Sequence, residues 1–130
     1  MRRFLLWAPP VLYMAFIFYS SSQSDPMPAL TQIVWDKLLH CAGYSLLALL
    51  LCRALRGEGF TIATTVLVAV LLTSLYGASD EWHQKFTPLR SSDVQDWLAD
   101  TTGGLLGAAA FAGAAWLMAA ASDALGPQRS

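Results

Sequence analysis

Six of the acidic side chains in this 130-residue sequence stand in three short stretches, each at a spacing that could carry chemistry. Lys37, His40 and Tyr44 recur at i, i+3, i+7, with Asp36 one turn before His40. On a helix that spacing puts them on one face. Tyr76, Asp80, His83 and Gln84 share a second face, with Glu81 beside it. Asp93, Asp96 and Asp100 repeat the first pattern, and the same stripe runs on as Gly103 and Gly107. Such a set admits two chemistries. In the first, Lys37, His40 and Arg90 hold an anionic group while the carboxylates orient them or accept hydroxyls. In the second, His40 or His83 with Asp80, Glu81 and Asp96 binds a divalent metal or works as acid and base on a lipid-linked substrate.

The second chemistry lacks a diagnostic motif. No H-E-x-x-H or other tight ligand spacing occurs, and no Ser or Cys stands in a nucleophile motif. Cys41 and Cys52 are eleven residues apart. On a helix that is about 16 Å, too far for a disulfide. They read as small apolar residues. Binding without chemistry is the preferred reading, because nothing assigns a nucleophile. Asp100 is the deepest charge, so an ion path through the membrane is not supported.

The elements that position these residues follow from composition. Hydrophobic residues make up 55% and charged ones 13%. A soluble domain usually carries about 25% charged residues. Mean hydropathy is +0.46. Eight basic and nine acidic side chains cannot cover a soluble surface of this size. A soluble enzyme and a disordered linker are excluded on that ground. A net charge of −1 gives no attraction to nucleic acid. Apolar blocks at 4–19, 38–55, 61–79 and 97–121 are close to the roughly 20 residues that span a bilayer. Strand-like alternation is absent, so a β-barrel is not expected. The expectation is an all-α integral membrane four-helix bundle, a single domain over residues 1–130.

Three features refine that architecture. Arg2 and Arg3 before an apolar run also open a signal peptide, but no small-x-small site follows Tyr19, so a retained helix is expected. The short segment 56–60 can only join antiparallel neighbours, which makes the second and third helices a hairpin. The loop from 20 to 35, with Pro26 and Pro28, is expected to be irregular. With the N-terminus inside, Arg2, Arg3, Arg53, Arg56 and Arg129 are cytoplasmic, and Lys37, Lys85 and Arg90 lie outside. That bias puts both termini in the cytoplasm.

Several polar residues have simple roles. Lys85 snorkels to headgroups, Trp82 and Trp97 belong to an interfacial belt, Asp93 caps the fourth helix, and Gly103 and Gly107 form a helix-packing face. The set as a whole does not reduce to these. Asp80, Glu81 and Asp100 adjoin or interrupt apolar spans, where a carboxylate costs about 2.5–3.5 kcal/mol. Mutual pairing is the way out. Lys37, His40, Tyr44, Asp80, Glu81, Gln84, Arg90, Asp93 and Asp96 are therefore expected to converge on one outward pocket with Asp100 at its floor. A small-ligand site would measure about 300–1,000 Å³. Arg90 is the expected partner of Glu81 or Asp96, and His40 the expected titrating residue. For a metal, the candidate ligands are His40, Asp80, Glu81 and Asp96.

The residues also carry a resemblance. The matching elements are Phe18-Tyr19-Ser20-Ser21, then Asp36-Lys37-Leu38-Leu39-His40-x-x-x-Tyr44. They continue as Tyr76-Gly77-x-x-Asp80-Glu81-x-x-Gln84-x-Phe86-x-Pro88-x-Arg90, and close as Ser92-Asp93-x-x-Asp96-x-x-x-Asp100-x-x-Gly103-x-x-x-Gly107. In that order they resemble the VanZ-like family of small bacterial membrane proteins. One departure is Asp100, where the family commonly has Asn. The family is named for a protein that lowers sensitivity to the glycopeptide teicoplanin. The resemblance implies a bacterial inner-membrane protein of the cell envelope; a link to glycopeptide-antibiotic or envelope-stress tolerance is left open, since resistance to that drug does not carry over with the family. The expected partner of the outward pocket is a membrane lipid or lipid-linked envelope precursor, and a homo-oligomer is left open.

Overall fold

In a computed structural model, residues 1–24, 35–88, 90 and 92–124 are described. Among the described residues the chain forms four helices: α1 (Arg2–Ser21), α2 (Asp36–Gly57), α3 (Ile62–Gln84) and α4 (Val94–Ala124). Each is long and apolar enough to cross a membrane, and the described residues contain no strand. The expected all-α four-helix membrane bundle is what the chain forms. Pro26, Pro28 and Arg129, on which the loop and orientation expectations drew, lie outside the described residues.

The helices run past the expected apolar blocks. Residues 80–84 extend α3, and Asp36, Lys37 and residues 94–96 belong to α2 and α4. Hydropathy marks the part that needs lipid, whereas backbone hydrogen bonding continues wherever a polar turn can face a neighbouring helix. For the same reason α4, from Val94 to Ala124, is longer than a single span requires.

Packing is centred on α2. Its residues Tyr44, Leu47, Ala48, Leu51, Cys52 and Leu55 are buried at helical spacing. The faces opposed to it are small or polar: Thr65, Ala69, Thr73 and Gly77 on α3, and Asp100, Gly103, Gly104, Gly107 and Ala108 on α4. Large side chains such as Leu67, Leu75, Leu106 and Trp116 point outward. In lipid that distribution is favourable, because helices associate through close packing rather than through burial of leucine. The α2–α4 contact is the most extensive, α3 packs on both, and α1 lies against α2 with only a light contact to α3.

Local chemistry explains the ends. Gly59, at φ 96°, completes the α2–α3 turn in a conformation that favours glycine. Thr61 caps α3 through its side-chain oxygen, which accepts from the Thr64 amide at 3.2 Å. Pro9 in α1 has no amide to offer the Leu5 carbonyl. Arg53 of α2 donates to that oxygen instead, at 3.5 Å. Arg2 donates to the Gly57 carbonyl at 3.0 Å, and Arg3 pairs with Glu58 at 3.2 Å. Arg2, Arg3 and Arg53 therefore gather at one end of the bundle, opposite the polar stripes.

Candidate functional site

The α2–α4 interface brings the stripes together. Gly103 and Gly107 lie on the backbone of α2, where a β-carbon would stand 2.2 Å from the Cys41 and Ser45 carbonyl oxygens respectively. Ser45 Oγ lies 2.8 Å from the Cys41 oxygen and 2.9 Å from that of Gly103, so its hydroxyl is shared between the two helices. Backbones this close carry the short side chain of Asp100 to α2 on one side and α3 on the other. A β-carbon on Gly77 of α3 would lie 2.9 Å from Asp100 Oδ2.

The ion pairs differ from the expected ones. Lys37 Nζ pairs with Asp93 Oδ2 at 2.8 Å and with Asp96, so Lys37 rather than Arg90 takes the α4 carboxylates. The reason is register: Lys37 and Asp96 both stand in the first turn of their helices, whereas Arg90 stands in the preceding loop. Arg90 donates instead to Gln84 Oε1 at 3.1 Å, and Glu81 Oε2 accepts from the Asp93 amide at 2.8 Å. Asp93 Oδ1 accepts from the Gln95 amide at 2.9 Å, the N-cap hydrogen bond of α4. The Lys37 ammonium, helped by that amide, holds the Asp93 carboxyl below the usual carboxylate range.

Deeper lie two further contacts. Tyr44 donates to Asp80 Oδ2 at 3.3 Å, as does Gln84 Nε2 at 3.3 Å. His40 Nδ1 lies 2.9 Å from Asp100 Oδ1. Asp80 Oδ1, Glu81 Oε1 and Asp100 Oδ2 are buried with no hydrogen-bond partner among the described residues. His83 is elsewhere: its Nε2 is 3.0 Å from Ser22 Oγ and its ring packs on Phe18 of α1. Among the described residues, two groups of side chains are close enough to share an ion. They are His40 with Glu81 and Asp100, and Asp36 with His40 and Asp96. Asp80 belongs to neither, and Asp100, absent from the expected metal set, belongs to the buried one.

Beside this cluster a cleft of about 170 Å³ opens between α1, α2 and α3, smaller than the expected pocket. His40, Tyr44, Asp80, Gln84 and Arg90 line it, whereas Lys37, Glu81, Asp93, Asp96 and Asp100 do not. The expected single pocket is thus two adjoining features, a cleft and a packed polar cluster, with His40 in both. The cleft's other wall includes Tyr13, Phe16 and Ile17 of α1 and Leu39 of α2. Sequence reasoning missed the α1 residues, since apolar side chains in an apolar span carry no signal of their own. The Tyr76 hydroxyl, which donates to the Met14 carbonyl at 2.6 Å, is a polar contact that ties α1 to α3.

Four membrane-length helices with a buried cluster of acids and bases at one end define a small multi-pass membrane protein. A family model described as VanZ/LLP1 matches residues 6–118, and the chain belongs to that family. Neither the curated proteins nor the solved structures that were compared include a match. The matched range includes every residue of the cluster and the cleft.

Proposed function

We propose that this protein binds the headgroup of an anionic amphiphile, a membrane lipid or lipid-linked envelope precursor, in the cleft between α1, α2 and α3. One observation carries the reading: a single cleft combines Arg90, His40 and Asp80 with an apolar wall of Phe16, Ile17 and Leu39. A headgroup and the start of its chain have that same division. Arg90 has no carboxylate partner among the described residues. Its guanidinium is therefore left to bind a phosphate by paired hydrogen bonds. Lys37, by contrast, is neutralised by Asp93 and Asp96 and is dropped from the anion-binding set. Asp80, with its unpartnered Oδ1, suits a hydroxyl-bearing headgroup such as glycerol phosphate or a sugar phosphate.

In the same reading the protein sits in the bacterial inner membrane with both termini in the cytoplasm and the cleft facing out. Arg2, Arg3, Arg53 and Arg56 at the opposite end support that orientation. A photoreactive benzoylphenylalanine in place of Leu39 tests the occupant. In vesicles of phosphatidylglycerol it should capture lipid several-fold better than in phosphatidylcholine, and Arg90→Gln should remove the difference. Equal capture from both vesicles would count against the reading.

A further inference from the structure

We propose that His40, Glu81 and Asp100 form a binding site for one divalent transition-metal ion, of the zinc or manganese class, where α2, α3 and α4 meet. Each helix supplies one ligand, and one donor atom from each lies within 4.8 Å of the other two. That spacing lets a single ion bridge all three after a small side-chain adjustment.

The second observation is independent of the spacing. Glu81 is 5% exposed and Asp100 fully buried, and each has one oxygen with no hydrogen-bond partner among the described residues. An ionised carboxylate without a partner is costly to bury, and a divalent ion neutralises two at once. Neither nearby fixed cation pairs with these two carboxylates: Lys37 pairs with Asp93 and Asp96, and Arg90 donates to Gln84. The remaining carboxylate oxygens are held in place: Glu81 Oε2 accepts from the Asp93 amide, and Asp100 Oδ1 faces His40 Nδ1. The Glu81–Asp93 bond is an outer hydrogen bond of the kind that orients metal ligands.

One imidazole with two carboxylates suits zinc or manganese better than magnesium or calcium, which favour oxygen alone. The alternative trio of Asp36, His40 and Asp96 is weaker, because Asp36 is exposed and Asp96 Oδ1 is taken by Lys37. The proposal does not depend on what occupies the cleft.

The test uses the full chain in detergent, stripped with EDTA and dialysed against zinc or manganese chloride, with bound metal counted by mass spectrometry. The native chain should retain one ion. Glu81→Gln and Asp100→Asn should weaken binding by at least about tenfold, while Asp123→Asn, at an exposed position near the end of α4, should not. Should those variants fail to fold, the native chain alone decides: zinc or manganese should raise its melting temperature and EDTA should reverse the rise. No stoichiometric metal and no thermal shift in the native chain would overturn the proposal, as would full retention by Glu81→Gln and Asp100→Asn.

Discussion

His40 of α2 meets Asp100 of α4 at 2.9 Å, and this contact joins the two helices at a fully buried carboxylate. The pairing depends on glycine at the same level of both neighbours. Gly103 lets α4 approach the Cys41 carbonyl, and Gly77 leaves room on α3 for the second Asp100 oxygen. A polar contact inside the membrane is thereby made by packing that only small residues allow.

Removing His40 should be more damaging than neutralising Asp100. His40→Ala deprives a fully buried carboxylate of its hydrogen bond. That loss is about 1–3 kcal/mol or more. Asp100→Asn keeps the shape and a hydrogen bond to the imidazole while removing the charge. Thermal unfolding of metal-stripped protein in detergent should rank Asp100→Asn above His40→Ala, and the reverse ranking would show that the pair is not the stabilising contact.

The glycine stripe makes a graded prediction. Gly103→Ala places a methyl group 2.2 Å from the Cys41 carbonyl oxygen, so the helices must separate. Overpacking of that kind costs about 1–3 kcal/mol, and more where backbone blocks the way. A β-carbon on Gly113 meets nothing within 4 Å. Alanine there should stabilise α4 by up to about 1 kcal/mol. Opposite shifts in melting temperature are expected, and a fall for both variants would contradict the packing account.

Lys37 and Lys85 differ in the same way. In Lys37→Met the nearly buried Asp96 loses its counter-ion. The variant should be destabilised by about 1–3 kcal/mol. A fully buried pair would cost roughly 3–5 kcal/mol to break. The smaller figure applies because the Asp93 side chain is 40% exposed. Lys85 is exposed and has no ion pair among the described residues. Lys85→Met should therefore change stability by less than about 0.5 kcal/mol. Chemical denaturation in mixed micelles compares the two, and equal effects would remove Lys37 from the cluster.

Orientation is tested with a single cysteine at Ser92, after Cys41 and Cys52 have been replaced. An impermeant maleimide should label it in intact cells. Labelling only after the membrane is broken would mean that the bundle is inverted.

How much of this was legible in the sequence depended on which interaction decided each feature. The four spans were readable because lipid demands about 20 apolar residues whatever the tertiary context. The convergence of the Lys37, Asp80 and Asp96 stretches followed from helical spacing and a common depth. The partners within the cluster did not, because spacing places Lys37 and Arg90 at similar depth while only the helix register decides which of them reaches Asp96. Nor was the division into a cleft and a packed cluster visible, since it depends on α1, whose contributing side chains Phe16 and Ile17 look like any lipid-facing residue. Asp100 read as the floor of a pocket. Its place beside Glu81 and His40 needed the close α2–α4 approach, whose distance no spacing rule supplies.

The most direct test of the amphiphile-binding account is lipid retention measured by native mass spectrometry on protein released from phosphatidylglycerol nanodiscs. The native chain should keep one anionic lipid. Arg90→Gln should weaken that retention about tenfold, the effect of losing one charge-assisted hydrogen bond of roughly 1.5 kcal/mol, and Lys85→Gln should leave it unchanged. Equal retention by the native chain and Arg90→Gln would contradict the account.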